Sequence, residues 1–222
     1  MASSINKLRQ VMARLRSPKG CPWDREQDHM ALRWHAVEEV YELLDAIESR
    51  DDQEMIEELG DVLLQVVFHC QLAQERGSFN LDTVARHITA KLIRRHPHVF
   101  GETKVKDVAE VWKNWEAIKS AEKHGTRHAR ASVLDGIPRH LPALLRAEKL
   151  VKKAKRGKLL DAQKVKRKTT KTNLARELFQ LAMYAQAKGW SAEELLRNEI
   201  GKQERLLRQA ERRGAGKLSS GR

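Results

Sequence analysis

A chain of 222 residues is long enough to bury a core as one large or two small domains. Its net charge of +13 is unevenly held: residues 1–150 carry 23 Lys and Arg against 23 Asp and Glu, whereas residues 151–222 carry 20 against 7. No apolar run approaches the length of a bilayer span, the first twenty residues lack the apolar core of a secretory signal, and Cys21 and Cys70 form no CxxC pair; a membrane partner is not expected, and a reduced, cytoplasmic protein is.

Helical periodicity dominates and no alternating strand stands out, which predicts an all-α, helical-bundle fold. Residues 5–16 make a first amphipathic helix with Ile5, Leu8, Met12 and Leu15 on one side. SPKGCPWD, with Pro18, Gly20 and Pro22, reads as a loop. Asp24 followed by Gln27 reads as a capping box opening a helix that runs to about Glu48, with Val37, Val40, Tyr41, Leu44 and Ile47 as its core stripe. After the polar turn SRDD, a longer helix covers about Gln53 to Arg76, with Ile56, Leu59, Leu63, Val66, Val67 and Cys70 inward and Gly77 as its stop. Asp82–Arg95 forms the next helix, closed by Pro97. Residues 107–122 form another, carrying Trp112 and Trp115.

The charge shift near residue 150 divides the chain into a domain over 1–130, a Pro-containing joint over 131–150 and a basic region over 151–222. That last region reads as a degenerate copy of the first. Shifted by 112, DVLLQVVFHCQLAQERG (61–77) lies over NLARELFQLAMYAQAKG (173–189), and Ala73, Gln74 and Gly77 meet Ala185, Gln186 and Gly189. A one-residue slip after the glycine brings Lys91 and Arg94 onto Lys202 and Arg205, while Glu58 becomes Thr170 and Asp61 becomes Asn173. Chance alignment of two Ala/Leu-rich helices is the plainer alternative.

Residues 35–61 hold eleven of the chain's thirty carboxylates. Glu39 and Glu42, and again Glu58 and Asp61, stand three apart, so each pair leans to one side of its helix. Packed antiparallel, the two helices aim four carboxylates into one space. An all-oxygen donor set suits a hard cation, Mg²⁺ or Mn²⁺, rather than zinc, and Glu38 is placed to orient a water. A solvated outer face explains Glu48, Asp51, Asp52 and Glu54, but the two pairs lie close to the apolar stripes. Gly60, a mid-helix glycine costing about 1 kcal/mol relative to Ala, points to a close approach of a backbone or ligand. Lys91, Arg94 and Arg95 end a helix, where they offset its dipole or bind a triphosphate. Trp112 and Lys119 offer an aromatic face and a cation, and Trp115 reads as core.

Five stretches, GCPWDREQ (20–27), EEVYELLDAI (38–47), EELGDVLLQVVFH (57–69), KLIRRHPHVFG (91–101) and VWKNWEAIK (111–119), together resemble the MazG family of nucleoside triphosphate pyrophosphohydrolases. The family pattern EExxE…ExxD is met by Glu38, Glu39, Glu42, Glu58 and Asp61. The resemblance implies an all-α, Mg²⁺-dependent enzyme built on a homodimer or higher homo-oligomer, cleaving nucleoside triphosphates to monophosphate and pyrophosphate. It implies Glu39, Glu42, Glu58 and Asp61 as metal ligands, Lys91, Arg94 and Arg95 on phosphates, and Trp112 on the nucleoside. Residues 151–170 hold no second EExxE, so the second copy is expected to be catalytically empty.

Related all-α enzymes acting on dUTP or phosphoribosyl-ATP are one alternative, disfavoured by GCPWD and RRHPHVFG. A non-catalytic nucleotide sensor, or a protein binding nucleic acid nonspecifically through its basic C-terminal region, is another.

Overall fold

The computed structural model describes residues 3–122, 131–160 and 167–219, so the end of the expected 1–130 domain and part of the basic run, 161–166, lie outside it. All regular structure among the described residues is helical: α1 (Ser4–Leu15), α2 (Pro22–Glu26), α3 (His35–Ser49), α4 (Asp52–Glu75), α5 (Leu81–Arg95), α6 (Pro97–Phe100), α7 (Val108–Ala121), α8 (Ala143–Arg156), α9 (Lys171–Ala187) and α10 (Ala192–Ser219). None of these helices is long and apolar enough to cross a membrane. The chain divides into two compact units, Met1–Ile118 and Lys119–Arg222, the division falling inside α7.

In the first unit, α3 and α4 form an antiparallel hairpin whose joint is two residues long. Arg50 takes the left-handed conformation (φ 60°), and Asp51 caps α4 by accepting the backbone N–H groups of Gln53 and Glu54. α1 crosses the C-terminal half of α4, where Met12, Leu32, Val67, Phe68 and Leu72 form the core. Arg16 anchors that crossing. Its guanidinium donates to both carboxylate oxygens of Glu75 (2.7–3.0 Å) and to the carbonyls of Asp24 and Gln27.

Two readings of the first unit change. Asp24 opens no long helix. It lies inside the short α2, begun by Pro22 at its first turn, and Gln27 ends α2 with extended backbone (ψ 142°). Residues 28–34 then turn around Asp28, whose carboxylate accepts the N–H groups of Met30 and Ala31, so α3 begins only at His35. The second change concerns the apolar stripes. Val67 and Cys70 are buried, but Val37, Val40, Tyr41, Leu44 and Ile47 on α3 are 40–50% exposed, as are Ile56, Leu59, Leu63 and Val66 on α4, at 40–65%. Among the described residues, the core reaches only the C-terminal half of α4 and leaves these apolar side chains of the hairpin outside it. A Cβ at Gly60 would likewise meet nothing within 4 Å, so no neighbouring backbone among the described residues requires that glycine.

The second unit takes in residues 131–150 as part of its core: Leu134, Ala143 and Leu150 are buried with Ala154, Ile200 and Leu207. Glu193 accepts the N–H of Ala143, and Arg146 pairs with Glu204 at 2.7 Å, joining α8 to α10. The end of α9 repeats the end of α4 in detail. Gly77 and Gly189 have φ of +69° and +70°. Their N–H groups donate to Gln74 and Gln186, both at 2.9 Å, and the next residues, Ser78 and Trp190, donate to Ala73 and Ala185, both at 2.9 Å. The following helix starts are capped alike, by Asn80 on Thr83 and Ser191 on Glu194, in the register of the one-residue slip.

Candidate active site

α3 and α4 bring three of the expected ligands together. One carboxylate oxygen each of Glu39, Glu58 and Asp61 lie within 4.8 Å of one another. Glu42 is not one of these three, yet its charge acts on both Glu39 and Glu58. The electrostatic strain is legible in the carboxyls. Partial burial, followed by repulsion from Asp61, pushes Glu39 above its ordinary range, and partial burial, followed by repulsion from Glu42 and Asp61, does the same to Glu58. Glu58 Oε2 is buried with no hydrogen-bond partner among the described residues. Oxygen donors that repel one another and leave a buried oxygen unpartnered fit a hard divalent cation, which would offset charge that the protein itself does not neutralise.

The remaining expected residues are placed as follows. Glu38 is exposed beside His35, with Oε2 3.7 Å from Nδ1. Lys91 is half-buried and Arg94 exposed on the last turns of α5. Arg95 is buried, its guanidinium 4.9 Å from the centre of the Trp115 ring. Trp112 is 60% exposed on α7, edge-on to Trp115 with ring centres 5.8 Å apart. Lys119 falls in the second unit.

Sequence reasoning passed over three polar residues. Gln65 Nε2 donates to Glu39 Oε1 at 3.3 Å. One turn further along α4, His69 Nδ1 lies 2.8 Å from His29 Nδ1, with the two rings stacked 5.1 Å apart. Gln65 stands four residues after Asp61 and His69 four after Gln65, so helical spacing from the acidic pair was the available signal.

The MazG nucleotide pyrophosphohydrolase domain matches residues 27–100, which contain the hairpin and its carboxylates. An uncharacterized 26.1 kDa protein of Streptomyces cacaoi is 41% identical over 190 residues, covering 85% of this chain and 74% of that protein. The chain belongs to the MazG family.

Two further relatives bracket the extent of the likeness. A nucleoside triphosphate pyrophosphohydrolase of Escherichia coli K12 is 46% identical over 152 residues, covering 68% of this chain and 57% of that protein. The uncharacterized protein YabN of Bacillus subtilis is 50% identical over 148 residues, covering 67% of this chain and 30% of that protein. The chain thus spans little more than half of the first and under a third of the second. The matched segment ends at Phe100, before the second unit begins at Lys119.

Proposed function

We propose that this MazG-family chain hydrolyses nucleoside triphosphates, ribo- or deoxyribo-, to the monophosphate and pyrophosphate, as nucleotide-pool housekeeping. The observation that carries the proposal is the convergence of Glu39, Glu58 and Asp61 oxygens within 4.8 Å, inside the segment that matches the family. In this reading Glu39, Glu42, Glu58 and Asp61 hold Mg²⁺, or Mn²⁺ in its place. The bound ion supplies charge neutralisation and a polarised water. Glu38 accepts a hydrogen bond from the attacking water and orients it toward the α-phosphorus. As the new P–O bond forms, the bond to the α,β-bridging oxygen breaks and charge builds on departing pyrophosphate. Lys91, Arg94 and Arg95 stabilise that charge, and Trp112 offers its exposed face to the nucleoside. Incubation with a panel of NTPs and dNTPs plus Mg²⁺ should yield monophosphate and pyrophosphate in equal amounts by chromatography. Diphosphate plus orthophosphate would refute the reading.

The proposal extends to assembly. Nine large apolar residues of α3 and α4 are at least 40% exposed on one hairpin, and apolar residues left in water on one element mark a surface for association. A homodimer or higher homo-oligomer that covers this face accounts for a stripe written in core periodicity but left outside the core. The free thiols of Cys21 and Cys70 fit a reducing, cytoplasmic setting.

A second role has its own observation: Lys149, Lys152, Lys155 and Lys158 are all exposed on or just after α8. This cationic surface suits nonspecific nucleic-acid binding, with log K falling by about 0.7–0.9 per phosphate contacted for each unit of log[salt]. Absence of RNA or DNA binding by the full chain at low salt would remove this role.

A further inference from the structure

Glu58, Asp61, Gln65 and His69 follow one another along α4 at steps of three, four and four, which places them on one face of the helix. The first two belong to the carboxylate cluster. The last two lead away from it, and each is tied to a neighbouring element, Gln65 to Glu39 on α3 and His69 to His29 in the turn before α3. Among the described residues, only four buried side-chain polar atoms have no hydrogen-bond partner, and three of them lie on this strip: Glu58 Oε2, Gln65 Oε1 and His29 Nε2. A buried polar atom without a hydrogen-bond partner is unfavourable, so three in one row point to a bound group that satisfies them.

The chemistry of the strip changes along its length. At Glu58 and Asp61 it is anionic, suited to a cation and through it to phosphate. At Gln65 it becomes neutral. An ionised carboxylate only accepts, so the amide must turn its NH₂ toward Glu39 and present its carbonyl oxygen on the other side. His29 and His69, facing each other through Nδ1, can share only one proton there, so His29 Nε2 is left as a donor or an acceptor according to tautomer. A carbonyl acceptor and an imidazole with either role match the ribose hydroxyls and base-edge amines of a nucleoside. The span from Asp61 to His69 is about 12 Å at the helical rise of 1.5 Å per residue, comparable to the reach of a nucleotide from its 5′-phosphorus to the far edge of its base.

The second unit adds an internal contrast. Where α9 repeats α4, it keeps the closing residues as Ala185, Gln186 and Gly189, but Glu58, Asp61, Gln65 and His69 become Thr170, Asn173, Glu177 and Leu181. The residues that shape the helix end persist, and all four residues of the strip change.

We propose that the strip continuing from the carboxylates along α4, with Gln65 and His29 as its hydrogen-bonding groups, is the nucleoside-recognition subsite of the substrate. It rests on the pyrophosphohydrolase reading for the identity of the ligand, while its test reads binding instead of turnover.

The test compares two probes in the presence of Mg²⁺ by titration calorimetry: α,β-methylene ATP, which resists cleavage between its first two phosphates, and inorganic triphosphate, which has no nucleoside. The wild-type chain should bind the nucleotide analogue more tightly than triphosphate. His29→Phe keeps a ring of similar shape and removes Nε2 together with the Nδ1 that faces His69; it should weaken the analogue about tenfold and leave triphosphate within about twofold. Gln65→Met should lower the ratio of the two affinities in the same way, even if losing the Glu39 contact also weakens metal binding, because metal is common to both probes. Parallel loss for both probes in both variants would show a merely structural strip and overturn the proposal. So would a wild-type chain with no preference for the analogue, whether or not the variants fold. If the affinity ratio behaves as expected but no nucleotide yields pyrophosphate, the hydrolytic reading fails and the subsite stands.

Discussion

α4 and α9 end alike and begin differently. Both end on the same glycine stop with the same pair of backbone hydrogen bonds, and both are followed by a capped helix in matching register. At their beginnings they diverge. α4 starts at Asp52, so Glu58 and Asp61 lie well inside the helix and reach toward Glu39 on α3. In α9 the corresponding Thr170 is the N-cap, its hydroxyl accepting the N–H of the corresponding Asn173 at 3.2 Å. The two aligned positions thus belong to a carboxylate cluster in one unit and to a helix cap in the other. A carboxylate cluster demands an offsetting charge, whereas a cap is satisfied by the helix's own backbone.

The largest effect should come from breaking the cluster. Glu39→Gln or Asp61→Asn should lower turnover at least about a hundredfold, roughly 2.7 kcal/mol of barrier, with the folded structure retained by circular dichroism. Asn173→Ala, at the matching position of α9, should leave turnover near wild type. Comparable losses in the two units would erase the contrast.

Next in size is the anchor of the first unit. Arg16→Met leaves Glu75 with only Gln71 as donor, removes the Arg16 donor from two backbone carbonyls, and should cost roughly 2 kcal/mol of stability in urea melts. Thr170→Ala should cost about 1 kcal/mol through loss of a cap and leave metal binding unaltered.

The smallest expected effect is one of sign. Repulsion and partial burial raise Glu39 and Glu58, so between the unfolded value near 4.5 and the higher folded value the folded chain holds more protons than the unfolded one. Their contribution to stability is therefore greatest at low pH and declines as pH rises through the folded values. Glu75, held below its ordinary range chiefly by its hydrogen bonds from Arg16, behaves oppositely: its contribution is present above about pH 4.5 and is lost as pH falls through its depressed value. Without metal, the stability gained by Glu58→Gln over wild type should grow from pH 4.5 toward neutrality, and Mg²⁺ should reverse it. A gain independent of pH would mean that the cluster carries no repulsion in the folded state.

Much of this was legible in the sequence. Helical spacing located every long helix of the first unit to within a few residues except the start of α3, and the pairing of acids three apart located the cluster. What the sequence misread has physical causes. The Asp24–Gln27 spacing matches a capping box, but Pro22 starts a separate short helix and Asp28 makes the decisive turn. The apolar stripe of α3 obeys core periodicity yet faces outward, because periodicity tells which face is apolar and not what covers it. Gln65 and His29 escaped because their meaning depends on which atoms remain unpartnered after folding, a three-dimensional property.

The most direct test is a Mn²⁺ titration followed by electron paramagnetic resonance, without nucleotide, on the full chain and its Asp61→Asn and Asn173→Ala variants. The account predicts binding by the wild type and by Asn173→Ala with equal affinity, and a loss of at least tenfold in Asp61→Asn. Undiminished binding in Asp61→Asn would contradict it.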